Sequence, residues 1–269
     1  MNLETRSWEI HRYSRNQQKK ERDTVAAEYP LTLVVNGEEF ATMVCTPKNL
    51  EELVTGFLAS EGVILLNKEI RKLDIDVDRG FAYIETTRPV SSASHGQKRW
   101  LGSCCGKSRA FYFQNDAATA KTATDQTTFS PESCYQLMEM FQAEAGMFKQ
   151  TGGVHQAAIA DRNGIIKAYA DIGRHNALDK LYGYLLREKI STKGRVVIFS
   201  GRISSEVLLK VSKMRFGLLL SKSAPTDLAL ELADDLNITA VGFVRGDRMN
   251  VYTHPERVGV FSEGGVTIE

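Results

Sequence analysis

The sequence has no apolar run near the roughly 20 residues that a membrane-spanning helix requires. Phe216 to Leu220 is among the longest, with Arg215 before it and Lys222 just beyond. Charge of neither sign is in excess: 34 Lys plus Arg stand against 33 Asp plus Glu, for a net charge of +1. No whole-molecule field therefore points to nucleic acid or to an acidic membrane as partner, and neither is expected. Cysteine is scarce at four residues, Cys45, Cys104, Cys105 and Cys134, which excludes a disulfide scaffold. The opening stretch, Met1-Asn-Leu-Glu-Thr-Arg6, lacks the apolar centre of a secretory signal. The expected location is the cytoplasm, and the expected state of the cysteines is the free thiol. What is present is ordinary for a globular chain, with 42% hydrophobic and 25% charged residues. A length of 269 residues accommodates two domains and can hold a core without a structural metal.

The chain divides into four stretches. Residues 1–28 are polar, most of all from Asn16 to Asp23, and predict a flexible arm with one strand near Trp8. Residues 29–90 predict a smaller α+β subdomain. Leu31 to Val35 and Glu39 to Cys45 flank Asn36-Gly37, the signature of a type I′ hairpin. Asn49 is the expected cap of a helix carrying Leu53, Phe57, Leu58 and Val63. Ile70 to Val77 and Phe81 to Thr87 predict a second hairpin. Residues 91–129 predict a mobile cysteine loop and linker, rich at its start in Ser and Gly. Residues 130–269 predict an α/β domain. Ser130 and Pro131 open a helix that Thr151-Gly-Gly153 closes. A hairpin is expected around Asn163-Gly164. Helices near 174–188, 204–220 and 226–236 alternate with strands at Val196 to Ser200, Leu218 to Ser221 and Ile238 to Val244. That alternation predicts a parallel layer.

Chemistry enters first at Cys104-Cys105, a pair in a Gly-rich turn with Lys98, Arg99, Lys107 and Arg109 close in sequence. Cations lower a thiol pKa, and the thiolate is the form that attacks or carries sulfur. Neighbouring Cα atoms lie about 3.8 Å apart, closer than the roughly 4.4–6.8 Å that a disulfide prefers. Zinc sites space their cysteines by about two to four residues. The pair therefore suits a covalent sulfur intermediate better than a dithiol switch or a metal site, and no metal is expected.

Three further blocks are dense in polar groups. Thr151-Gly-Gly-Val-His155 and Asp171-Ile-Gly-Arg-His-Asn-Ala-Leu-Asp-Lys180 gather His155, Arg174 and His175, candidates for positioning or proton control. Two strand-to-helix turns carry hydroxyls suited to a phosphorylated ligand: Gly201, Arg202, Ser204 and Ser205 in the first, Ser221, Ser223, Thr226 and Asp227 in the second. Glu206 reads as part of a helix cap. Neither turn is a G-x-x-x-x-G-K-[ST] loop, so ATP hydrolysis is not expected. A last turn, Phe243, Val244, Arg245, Gly246, Asp247 and Arg248, offers a carboxylate for a guanine edge, cations for phosphate, and Phe243 with Tyr252 for stacking on a ring.

Together with Cys45-Thr-Pro and Glu52-Leu-Val-Thr-Gly-Phe-Leu-Ala-Ser-Glu-Gly62, these blocks resemble the formate dehydrogenase accessory sulfurtransferase family (FdhD), in the same order from about residue 30 to 258. The resemblance implies a three-layer cytidine-deaminase-like domain without zinc, with a smaller extra domain. It implies a homodimer that takes persulfide sulfur from a cysteine desulfurase. The sulfur then passes to the molybdenum or tungsten bis-molybdopterin guanine dinucleotide cofactor, before that cofactor enters the formate dehydrogenase catalytic subunit. One departure stands out. The family pattern S-C-G-x-C-G-K is here Ser103-Cys104-Cys105-Gly106-Lys107, so either Cys104 or Cys105 is the expected carrier. Two rivals are a cofactor-binding chaperone without sulfur transfer and a hydrolase, which would need zinc-activated water.

Overall fold

The structure is a computed structural model that describes residues 3–88, 99–101 and 119–259, with only the backbone of 99–101. Of the three sheets among the described residues, the two larger ones carry the hydrophobic cores and are held together by a pair of crossing helices.

The smaller sheet has the order β5-β6-β3-β4-β7. Its strands are β3 (Tyr29–Val35), β4 (Glu38–Cys45), β5 (Ile70–Asp76), β6 (Phe81–Thr86) and β7 (Arg99–Leu101). Both expected hairpins form. Asn36 and Gly37 each adopt a positive φ, as a type I′ turn demands. Helix α1 (Leu50–Ser60) covers one face, and Leu31, Leu33, Met43, Leu53, Leu58 and Ile84 close the core between them. Asn49 precedes α1 in a left-handed conformation and its side chain caps nothing. Strand β7, inside the stretch expected as linker, pairs parallel with β4 and sets Leu101 opposite Met43.

The larger sheet has six strands in the order β13-β12-β11-β10-β8-β9. These are β8 (His155–Asp161), β9 (Gly164–Asp171), β10 (Val196–Phe199), β11 (Leu218–Ser221), β12 (Thr239–Arg245) and β13 (Arg248–Val251). Helices α4 (Arg174–Arg187), α5 (Ser205–Lys213) and α6 (Asp227–Asp235) share a core with Ile159, Val197, Phe199 and Leu219. Helix α2 (Pro131–Ala143) packs with Ala158, Ile198 and Leu220 instead, with short α3 (Gly146–Thr151) following it. Side chains that alternate in sequence thus serve opposite faces, and the domain has three layers. Ser130 caps α2 by accepting from the Ser133 amide, with Pro131 in the first turn.

The sheet is mixed rather than parallel. Only β10, β11 and β12 run parallel, because helices join them. Tight turns join β8 to β9 and β12 to β13, which forces antiparallel pairs. The helix expected over 204–220 ends at Lys213; Arg215 takes a positive φ and releases the chain into β11.

The amino-terminal arm is also more regular than expected. Strands β1 (Thr5–Ser14) and β2 (Gln17–Ala26) pair along their whole length. Cross-strand pairs Arg12–Glu21 at 2.5 Å and Lys20–Glu9 at 2.8 Å supply a register that the weak apolar alternation hid.

Helices α1 and α4 cross between the two cores. Ideal methyl positions on Gly56 and Gly183 lie 1.8 Å from the Asp179 carbonyl oxygen and 1.9 Å from that of Glu52. No other residue fits at either place.

Candidate functional site

The singled-out blocks converge at the carboxyl edge of the three parallel strands. Strand β8 runs against β10, so His155 at its start sits beside the end of β10. The Gln156 amide donates to Ser200 Oγ at 2.9 Å, and the Ser200 amide donates back to the Gln156 carbonyl at 3.0 Å. Asp171, the last residue of β9, pairs with His155. Edges of this kind, where strands give way to helices, are where α/β folds place ligands.

The densest block resolves into two jobs. Asp171 and Lys180 form an ion pair at 2.7 Å with neither side chain exposed. Asp171 also accepts from the amides of Thr46 and Gly173 and from Asn176 Nδ2, while Asn176 donates as well to the Val44 carbonyl. Thr46 Oγ1 accepts from the Ile172 amide. These groups tie the end of β4 to the start of α4, so most of the block is a joint between the two sheets. A second buried set, Lys210, Asp179, Ser60 and Lys213, links α1, α4 and α5.

Arg174 and His175 do the other job. His175 Nε2 lies 2.9 Å from Glu206 Oε2, and both side chains keep about a quarter of their exposure, 24% and 26%. Burial holds His155 below the usual imidazole range, reinforced by Arg174 and His175 and opposed by Asp171. Burial likewise holds His175 down, with Lys210 and Arg174 adding to it and Glu206 opposing. Both rings are accordingly neutral and able to accept a proton at neutral pH. A methyl on Gly201 would stand 3.4 Å from His155 Nδ1 and 2.8 Å from the Phe199 ring, so glycine keeps that edge of the imidazole uncovered.

The hydroxyls of the two turns mostly face inward. Ser221 Oγ is buried and donates to the Gly201 carbonyl at 2.7 Å; Ser223 Oγ donates to the Ser200 carbonyl at 3.0 Å. Ser204 caps α5 by accepting from the Val207 amide. Thr226 stands at the N-cap of α6 without a side-chain cap bond. Glu206 and Asp227 already place negative charge in the first turns of α5 and α6. These hydroxyls hold the edge in shape. Groups at the surface are Arg202, Asp227, Phe243, Arg245, Gly246, Asp247 and Arg248, with Ser205 half-buried. Val244 is a core residue. Phe243 adopts a φ of 54° at a register shift between Gly242 and Arg245. A bulge of this kind re-aims a side chain, and here it leaves Phe243 39% and Tyr252 38% exposed. Arg245 Nε donates to the Lys222 carbonyl, tying this turn to its neighbour.

Cys45 and Cys134 are fully buried, and burial pushes each thiol up to about 12. Neither supplies a thiolate near neutral pH. Cys104 and Cys105 lie outside the described residues. Among the described residues no cluster of His, Cys, Asp and Glu could hold a metal ion. Sequence reasoning missed Thr46 as a joint residue and Glu206 as the partner of His175; both stood inside blocks already singled out.

The FdhD/NarQ family model matches residues 26–259. The chain belongs to the FdhD/NarQ family. Sulfur carrier protein FdhD of Bacillus subtilis is 52% identical over 251 residues, 93% of this chain and 96% of that one. Its namesake in Halalkalibacterium halodurans is 56% identical over 239 residues, 88% of each chain. A crystal structure of a formate dehydrogenase accessory protein from Desulfotalea psychrophila superposes with a TM-score of 0.77 at 22% identity, covering 94% of this chain and 99% of that one. It supports the fold of this FdhD/NarQ member. Among the described residues, no helix is long and apolar enough to cross a membrane.

Proposed function

We propose that this FdhD/NarQ member is a sulfur carrier for formate dehydrogenase maturation. The observation that carries the reading is one of elimination. Relatives at 52–56% identity are named sulfur carriers, a carrier needs a nucleophilic thiol, and two of the four thiols are buried with pKa values pushed up to about 12. That leaves Cys104 and Cys105, flanked in sequence by Lys107 and Arg109. One of them accepts the outer sulfur of a persulfide on a cysteine desulfurase and holds it as a persulfide.

In this reading the acceptor is the bis-molybdopterin guanine dinucleotide cofactor, carried as substrate, before its entry into formate dehydrogenase. The exposed Phe243, Asp247, Arg245, Arg248 and Arg202 fit such cargo: an aromatic face for a base, a carboxylate for a guanine edge, cations for diphosphate. The three layers would be those of a cytidine deaminase used without zinc, and the working unit a homodimer in the cytoplasm. His155, Arg174 and His175 position the cargo or control protons beside it, with proton control open only to the two histidines.

The test is a double Cys104→Ser, Cys105→Ser chain expressed in cells that lack the native protein. The carrier reading expects no active formate dehydrogenase; restored activity would mean a cofactor chaperone whose thiols are dispensable.

A further inference from the structure

We infer that the ribbon of β1 and β2 is an arm that seats on helix α6 of a second copy of this chain. The assignment rests on the homodimer of the reading above and names its interface. The ribbon is a sheet of its own, with no third strand on either side among the described residues. Its root is fixed where the Ala27 amide donates to the Glu4 carbonyl and Lys48 pairs with Glu4 at 3.0 Å. From there each strand runs for ten residues, which is about 33 Å of extended chain. A lone two-stranded ribbon is marginally stable in water. This one leaves Trp8 64% and Tyr13 73% exposed. A long ribbon with both edges open and large aromatic side chains uncovered is a surface that another chain covers.

Strand alternation puts Arg6, Trp8 and Ile10 on one face, with Val25 directly across from Arg6. That face is an apolar strip with a cation at its root end. The ribbon also carries excess positive charge. Its carboxylates are all paired: Glu9 with Lys20, Glu21 with Arg12 and Lys19, and Asp23 with Arg12. Arg6, Arg15 and Arg22 are exposed and have no acidic partner among the described residues.

The same chain carries the complement. Helix α6 exposes Asp227, Leu228, Glu231 and Asp235 and contains no Lys or Arg. Its three exposed acids recur one turn apart, and Leu228 lies beside Glu231 on that face. Like charges so spaced repel one another until a cation covers them. The two strips match: Trp8 against Leu228, Arg6 against Glu231 and Asp235. A second copy is the occupant because it brings the acidic helix with it. A twofold axis then satisfies both strips twice, with the ribbon of each copy on α6 of the other. Helix α6 begins at the second strand-to-helix turn, so each ribbon borders the candidate site of the other copy.

The experiment measures the dimer dissociation constant of the full chain by analytical ultracentrifugation. Trp8→Ala, Arg6→Glu and a double Glu231→Arg, Asp235→Arg chain should each raise it at least about tenfold. All three change exposed side chains, and the helix variant leaves the ribbon intact should a ribbon variant disturb its own fold. A chain combining Arg6→Glu, Glu231→Arg and Asp235→Arg exchanges the signs, and should return the constant to within about threefold of the wild type. The assignment is overturned if any of the first three chains dimerises as tightly as the wild type, or if the combined chain is no tighter than Arg6→Glu alone. A Trp8→Ala chain that stays dimeric but no longer takes up sulfur from a cysteine desulfurase would make the ribbon a dock for the donor, and overturns it too. A wild type that is monomeric at every concentration overturns the homodimer and this assignment together, and leaves the sulfur-carrier reading standing. Wild-type dimers indifferent to all the substitutions overturn this assignment alone.

Discussion

Gly56 in α1 lies against Gly183 in α4 so closely that a methyl group on the first would stand 2.7 Å from the amide nitrogen of the second. The obstacle on both sides is backbone, which cannot swing aside. Gly56→Ala or Gly183→Ala must therefore spread the two helices or fail to fold. A loss of about 3 kcal/mol or more is expected, at the top of the overpacking range. Gly146→Ala, where an added methyl meets nothing within 4 Å, is the matched control and should cost little. Urea unfolding of the three variants checks this; equal stabilities would contradict the close crossing.

The Asp171–Lys180 pair gives a second prediction. Both side chains are fully buried, so removing one partner leaves the other charge without compensation. Lys180→Met should cost about 3–5 kcal/mol, and a double Asp171→Asn, Lys180→Met chain should recover part of it. Thermal unfolding of the two chains reads this directly. A double variant no more stable than the single one would show that the cost does not come from an uncompensated Asp171 charge.

Much of this was legible in the sequence, for identifiable reasons. Both small-sheet hairpins were, because Asn36-Gly37 and Asp78-Arg79-Gly80 announce their turns. The convergence of His155, Arg174, His175 and the strand-end turns was legible because each block sits at a strand boundary. What the sequence hides is direction. Ser221 and Ser223 look like ligand hydroxyls until their carbonyl partners at Gly201 and Ser200 are seen. Glu206 looks like a cap until it is found beside His175, 31 positions away in the chain and adjacent in space. The ribbon of β1 and β2 escaped because its register is set by cross-strand charges, which carry no hydrophobic period.

The two neutral histidines make stability depend on acid. Burial and neighbouring cations set His155 and His175 below the ordinary value of 6.5. A group whose folded pKa is depressed contributes stability that is present above its unfolded pKa, and this is lost as pH falls through the folded one. The melting temperature should therefore start to fall as the pH drops below about 6.5. It should fall less in a His155→Gln chain over the same window. A wild type and variant with parallel curves from neutral pH downward would refute it.

The exposure of Phe243 on its bulge predicts a role in cargo recognition. With GDP as the probe, Phe243→Ala should weaken binding on the order of tenfold, the scale of one lost base stack. Melting temperature should change little, since the side chain is exposed. Titration calorimetry on both chains tests this; unchanged GDP affinity would remove Phe243 from the cargo site.

Sulfur transfer itself is read most plainly from the mass of the full chain after incubation with a cysteine desulfurase and cysteine, followed by peptide mapping. A carrier that works through its paired cysteines gains one sulfur atom, on the peptide that contains Cys104 and Cys105, with none on Cys45 or Cys134. Sulfur on Cys45 or Cys134, or no sulfur at all from a donor active on another acceptor, would contradict it.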